Sequence, residues 1–138
     1  MIRPQVFHIV GILLVMLGLS MSFSLGWSLY YAENDFIPIL QALLTTIISG
    51  MILYFIFRNK NKVELSTRDG FSIVTLGWIS MVIFSALPFY FSGKLSFTNA
   101  FFESMSGLTT TGASILGHST TLMIEDMPHG LLFWRSFT

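Results

Sequence analysis

The sequence predicts an all-α integral membrane protein with three transmembrane helices, a re-entrant helix and loop, and the start of a fourth transmembrane helix. Three observations carry this. Charged residues make up 10% of 138 positions and hydrophobic ones 53%, with 14 Phe; an ordinary soluble domain is about 25% charged. A chain this small leaves too much surface in water to hide so much apolar area, and its mean hydropathy is +0.72. Three long stretches carry no charged residue, and a further apolar stretch, too short to cross, runs into three threonines and a glycine.

The same composition excludes several function classes. Net charge is zero, so no basic stripe exists to neutralise phosphates, and nucleic acid is not an expected partner. The absence of cysteine removes Cys-ligated zinc and disulfide scaffolds. His8, His118 and His129 are too scattered for a metal site. There is no nucleophile–base pair, phosphate-binding glycine loop or carboxylate pair in one segment, so no enzyme and no bound cofactor are expected.

The first span is Gln5 to Ala32, the second Phe36 to Phe57 and the third Gly70 to Gly93. Each supplies the ~20 residues that a helix rising 1.5 Å per residue needs to cross the bilayer core. The first is longer, so it tilts or ends in the interface. A cleaved signal peptide is its rival reading, with Arg3 as the basic region and Ser20-Met21-Ser22 as a small-x-small site. The apolar stretch continuing through Leu25, Trp27, Leu29 and Tyr30 speaks for a span. Within the third span, Pro88 removes a backbone hydrogen bond and predicts a kink or an end near Ser85 to Leu87. Asp69 sits where a carboxylate caps a helix start.

Charge sets the orientation. Arg3, Arg58, Lys60, Lys62 and Arg68, five of the seven basic residues, flank one side of the spans; that side is cytoplasmic by the positive-inside rule. The N-terminus is then inside, and the loop with Glu33 and Asp35 outside. Trp27, Tyr30, Tyr31 and Tyr90 lie near the outer ends and read as lipid-facing interface aromatics.

Residues 95–128 do not fit a span. Phe97, Ala100, Phe101, Met105 and Leu108 share one face of a helix, with Thr98 as its expected N-cap. A helix of ~12 residues is ~18 Å long and reaches about halfway through the core. Thr109-Thr110-Thr111 then lowers helix propensity, and Gly112 opens backbone angles that other residues avoid. The chain is therefore expected to return outward as extended backbone, which is permitted at membrane depth only where it is buried in protein or lines water. In that shape the carbonyls of Thr109 to Gly112 replace the hydration shell of a bare monovalent cation, and the C-terminus near Leu108 favours that cation through its dipole. On local pattern alone, an ordinary outer loop containing a glycine fits equally well. Glu103 lies on the embedded half-helix, where ionisable residues are functional candidates; we expect it to hold backbone by hydrogen bonds rather than touch the ion. Arg135 is expected in a vestibule or interhelical salt bridge.

Read together, Ser66-Thr67-Arg68-Asp69-Gly70-Phe71, Ser85-Ala86-Leu87-Pro88-Phe89 and the block from Thr98 to Ala113 resemble the Trk/Ktr/HKT superfamily, and its Trk-type membrane subunits most. Met127-Pro128-His129 and Leu131-Leu132-Phe133-Trp134-Arg135 resemble the start of that family's next helix. The resemblance implies four membrane–pore–membrane repeats around one potassium path, each giving one filter strand, with two extra helices ahead of the first. Residues 1–64 would then be the two-helix extension and 65–138 the first repeat, incomplete at its second helix. Residues 97–108 would be its pore helix and 109–113 its filter strand. Thr110 and Thr111 match positions whose carbonyls coordinate potassium, Gly112 matches the filter glycine, and Thr109 completes the ion-binding set. Ala113 and Glu103 would support the filter.

The function implied is potassium transport across the bacterial inner (plasma) membrane, driven by the ion gradient and voltage, with potassium as the transported ion. The implied partners are a cytosolic nucleotide-binding regulatory subunit and a second copy. The family chain is several times longer, so this sequence reads as its N-terminal part. The rival is a small membrane scaffold or truncated remnant without transport activity.

Overall fold

In the computed structural model, residues 4–32, 34–58, 66–116 and 126–138 are described. They form five helices: α1 (Pro4–Tyr31), α2 (Phe36–Ile56), α3 (Thr67–Phe91), α4 (Phe97–Leu108) and α5 (His129–Phe137). The first three are long and apolar enough to cross a membrane. Arg3, Glu33, Lys60, Lys62, His118 and the expected domain boundary at 64/65 lie outside the described residues.

α1 is apolar on every side, so its sequence alone does not say which face is buried. The fold selects Val6, Val10, Leu14, Leu17, Met21, Ser24 and Ser28. These recur every three or four residues, which is the seam of helices packed at a shallow angle. Along this seam α1 and α2 form an antiparallel hairpin. A Cβ on Gly11 would lie 2.8 Å from the Gly50 carbonyl oxygen, and one on Gly50 would lie 2.9 Å from that of Gly11. Two glycines facing each other let the backbones touch, the usual device where lipid supplies no hydrophobic drive for helix pairing. At the end of the hairpin nearest the N-terminus, His8 stacks on Tyr54 at 4.6 Å, and its Nδ1 lies 3.1 Å from the Tyr54 carbonyl oxygen.

α3 begins at Thr67, three residues ahead of the expected start. The Asp69 carboxylate accepts from the Ser66 N–H at 3.0 Å, so a polar first turn is held by its own cap. Pro88 does not end α3, which runs on to Phe91. Of the expected kink or end near Ser85 to Leu87, the end does not occur, at a point where the helix is clasped by a neighbour. Pro88 and Phe89 are buried, and the buried indole of Trp134 on α5 donates to the Ser85 carbonyl at 2.9 Å. That carbonyl is next to the Phe84 carbonyl that Pro88 leaves without its helical donor, so the Trp134 contact holds α3 at the turn the proline weakens.

The core lies where all five helices meet. Leu14, Leu17 and Met21 of α1, Ile39 and Ala42 of α2, Ala86 and Phe89 of α3, Ala100 of α4, and Leu131 and Trp134 of α5 pack in one cluster. α4 rests on α3 and α5, and α5 rests in turn on α1. The four aromatics expected to face lipid are all exposed, and two of them also touch α5. Trp27 stacks on Phe133 at 5.5 Å and Tyr31 on His129 at 4.1 Å, because α5 docks beside the C-terminal half of α1. Tyr30 stays 81% exposed.

Candidate functional site

The site is the end of α4 and the loop after it. α4 starts at Ser96, whose hydroxyl accepts from the Asn99 N–H at 3.4 Å. The cap is therefore Ser96 and not Thr98, which lies inside the first turn. Ser96 has the extended backbone that an N-cap needs, with ψ of 160°. α4 buries Ala100, Glu103, Ser104 and Ser106 and exposes Phe97, Phe101, Phe102 and Met105. Its inner face is thus polar, the reverse of a soluble amphipathic helix.

The C-terminal end is a Schellman turn. The Thr110 N–H donates to Gly107 at 2.9 Å, and the Thr111 N–H reaches back to Ser106 at 2.9 Å. That pattern requires a left-handed residue one past the cap, usually glycine. Here it is Thr110, at φ +56°. A β-branched side chain there is a genuine outlier and costs on the order of 1–2 kcal/mol. Gly112 takes a second left-handed angle, φ +73°. The expected extended strand therefore does not begin directly after α4. The helix must first reverse direction to satisfy its last carbonyls, and two left-handed residues in the next four accomplish this.

The threonine side chains serve the turn. The Thr109 hydroxyl donates to the Met105 carbonyl at 2.6 Å and lies 2.9 Å from the Thr111 hydroxyl, bridging over Thr110. Residues 109–113 are all exposed. Among the described residues, nothing donates a hydrogen bond to the carbonyl oxygens of Thr109, Thr110, Thr111 or Gly112. Buried backbone would not leave such acceptors idle.

From behind, α4 grips the chain beyond the turn. The Ser106 hydroxyl donates to the Ala113 carbonyl at 2.6 Å. Glu103, its side chain 3% exposed, accepts from the Ser114 hydroxyl at 2.7 Å and the Ile115 N–H at 2.8 Å through Oε1. Its other oxygen pairs with Arg135 Nε of α5 at 3.2 Å. A buried carboxylate costs several kcal/mol unless paired and hydrogen-bonded, and Glu103 has three donors. All six residues singled out in the sequence (Glu103, Thr109, Thr110, Thr111, Gly112 and Ala113) thus fall in one structural unit.

Sequence reasoning assigns no role to Ser106 and Ser114, and names no partner for Arg135. A signal for Ser106 is present: it lies three residues after Glu103, on the same helix face. Ser114 and Arg135 carry no such signal, because their partner is 11 and 32 residues away, respectively.

The family model described as "TrkH: Cation transport protein" matches residues 37–138. The chain is 38% identical over 133 residues to the Trk system potassium uptake protein TrkH of Halomonas elongata, covering 95% of this chain and 26% of that one. It is 32% identical over 132 residues to the Trk system potassium uptake protein TrkG of Escherichia coli K12, covering 94% and 26%. The crystal structure of the potassium transporter TrkH from Vibrio parahaemolyticus superposes with a TM-score of 0.84 at 34% identity, over 96% of this chain and 27% of that one. The chain therefore spans about a quarter of the length of these relatives.

Proposed function

Because the chain belongs to the TrkH family of cation transport proteins, we propose that it contributes one filter strand, residues 109–113, to a potassium-translocating pore in the bacterial inner membrane. The observation that carries this is the row of exposed carbonyls from Thr109 to Gly112 with no protein donor among the described residues. A cation stripped of water needs uncommitted oxygens of this kind. Thr110, Thr111 and Gly112 offer theirs from a turn whose angles are set by the Schellman bonds, and Thr109 offers its own from the helix cap. Ala113 and Glu103 brace the turn from behind. One strand surrounds an ion on one side, so three equivalent strands complete the coordination. Residues 1–64 are the two-helix extension and 65–138 the first repeat. Flux follows the ion gradient and the membrane voltage. A cytosolic nucleotide-binding regulator and a second copy are the protein partners that the family resemblance implies.

A chimaera tests the assignment. Residues 1–138 replacing the matching quarter of the Vibrio transporter are expected to support rubidium uptake in cells lacking potassium uptake, with sodium competing weakly. A chimaera that reaches the membrane and carries no rubidium would refute it.

On the positive-inside rule, the proposal takes Arg58 and Arg68 as cytoplasmic and Asp35 as external. A reporter domain inserted after Lys62 is expected to be cytoplasmic, and one inserted after Asn34 external. Finding both on one side would exclude the three-span topology.

A further inference from the structure

The α1–α2 loop holds a carboxylate that the filter assignment does not use. Asp35 is 2% exposed. Its Oδ1 accepts from the Ser28 hydroxyl at 2.5 Å, and its Oδ2 has no hydrogen-bond partner among the described residues. That oxygen faces the first turn of α5: a Cβ on Gly130 would sit 2.5 Å from it and 2.9 Å from both Ile39 and Ser28. Only glycine fits there, so the close approach is built into both partners. The N-cap of α5 is Pro128, which supplies no side-chain cap. A negative charge against that turn complements the positive end of the helix dipole. Beside it, the Ser24 hydroxyl donates to the Gly130 carbonyl at 2.5 Å, and the rings of Tyr31 and His129 stack within 6° of parallel.

α5 also carries Arg135, five residues on, whose Nε meets Glu103 at 3.2 Å. Five residues of helix rise ~7.5 Å and move as one body. That contact is at the long end of the hydrogen-bond range, so a shift of α5 that the Arg135 side chain does not follow weakens it. We propose that Asp35, seated by Ser28 and assisted by Ser24, is a positioning residue for ion selection: it fixes the first turn of α5, and so the reach of Arg135 to the carboxylate that holds the chain behind residues 109–113. This rests on the filter reading of those residues. It gives the two-helix extension a task beyond anchoring, because α1 and the α1–α2 loop then set filter geometry through α5.

The experiment uses the full-length protein in cells lacking potassium uptake, at matched membrane levels. It reads rubidium uptake and its inhibition by sodium. Asp35→Ala is expected to lower the rubidium-to-sodium preference at least ~2-fold, the scale on which remote residues modulate a site. A purely structural role would lower uptake of both ions together and leave the preference unchanged, which overturns the proposal. The double variant Asp35→Ala with Glu103→Gln is expected to be no less selective than Glu103→Gln alone, since both act on one link; fully additive losses overturn it. Should Asp35→Ala fail to reach the membrane, Ser24→Ala removes a single hydrogen bond and reads the same preference, and an unchanged value there overturns the proposal. Gly112→Ser is run in parallel. If it still discriminates, the filter reading itself fails. If it loses discrimination while Asp35→Ala keeps it, the positioning role alone falls.

Discussion

In the chimaera of residues 1–138 with the Vibrio transporter, Gly112→Ser is expected to abolish discrimination of rubidium from sodium, or uptake altogether, with normal membrane insertion. The cause is conformational and not steric. A Cβ on Gly112 would meet nothing within 4 Å, so no collision occurs. The backbone, however, stands at φ +73°, where any L side chain costs about 1–3 kcal/mol. The cheapest relief is to rotate a peptide next to residue 112, which moves a carbonyl out of the row proposed to coordinate the ion. Against a total stability of about 5–15 kcal/mol the penalty is survivable, so the chain still folds while ion selection, set by the number and field of those oxygens, does not survive. Gly107→Ser gives the opposite pattern. Its Cβ would lie 2.9 Å from the backbone carbon of Thr138 on α5's flank, so packing of α4 on α5 suffers while residue 112 keeps its angle. Rubidium uptake with and without sodium separates the two. A Gly112→Ser protein that transports like wild type would make residues 109–113 an ordinary loop.

Glu103→Ala is expected to be the most destabilising substitution in this segment. It strands three donors at once: the Ser114 hydroxyl, the Ile115 N–H and Arg135 Nε. Arg135 is 29% exposed, so water compensates part of its charge; the main loss is the acceptor for the Ser114 hydroxyl and the Ile115 N–H, about 1–3 kcal/mol for each donor left unmet. A lower melting temperature of the purified transporter and little membrane accumulation are the expected results. Glu103→Gln keeps an acceptor for Ser114 and Ile115 and gives up only the charge opposite Arg135, so it should accumulate better and melt higher than the alanine variant. Equal melting of wild type and Glu103→Ala would mean that the three contacts contribute nothing to stability.

The membrane spans and the half-helix are legible because both depend on local composition. A stretch such as Phe36 to Ile56 has no alternative to a lipid-spanning helix once charges are absent and backbone bonds must close within the segment. The Thr-Thr-Thr-Gly run likewise marks a helix end from propensity alone. The departures are equally physical. Thr98 and Ser96 are both competent caps, and only the direction in which the chain enters α4 chooses between them. Propensity assigns the left-handed angle to Gly112 alone, because threonine disfavours it; the Schellman bonds to Ser106 and Gly107 impose it on Thr110 as well. Pro88 reads as a kink or an end of α3, and the Trp134 contact at Ser85, which lies where the helix continues, leaves no trace in residues 85–88.

By itself, then, the sequence determined the class of solvent, the three spans with most basic residues gathered at one end of them, and the loop in which uncommitted carbonyls are found. Each comes from hydropathy, charge and backbone preference summed over a short window. Tertiary structure alone decided which face of α1 is buried, why residue 130 must be glycine, and that Glu103 meets Arg135 across 32 residues. Those outcomes depend on two surfaces arriving at one place. A helix as uniformly apolar as α1 carries no mark of which side its partner takes, and a carboxylate such as Asp35 carries none of the turn, 95 residues later, against which it comes to rest.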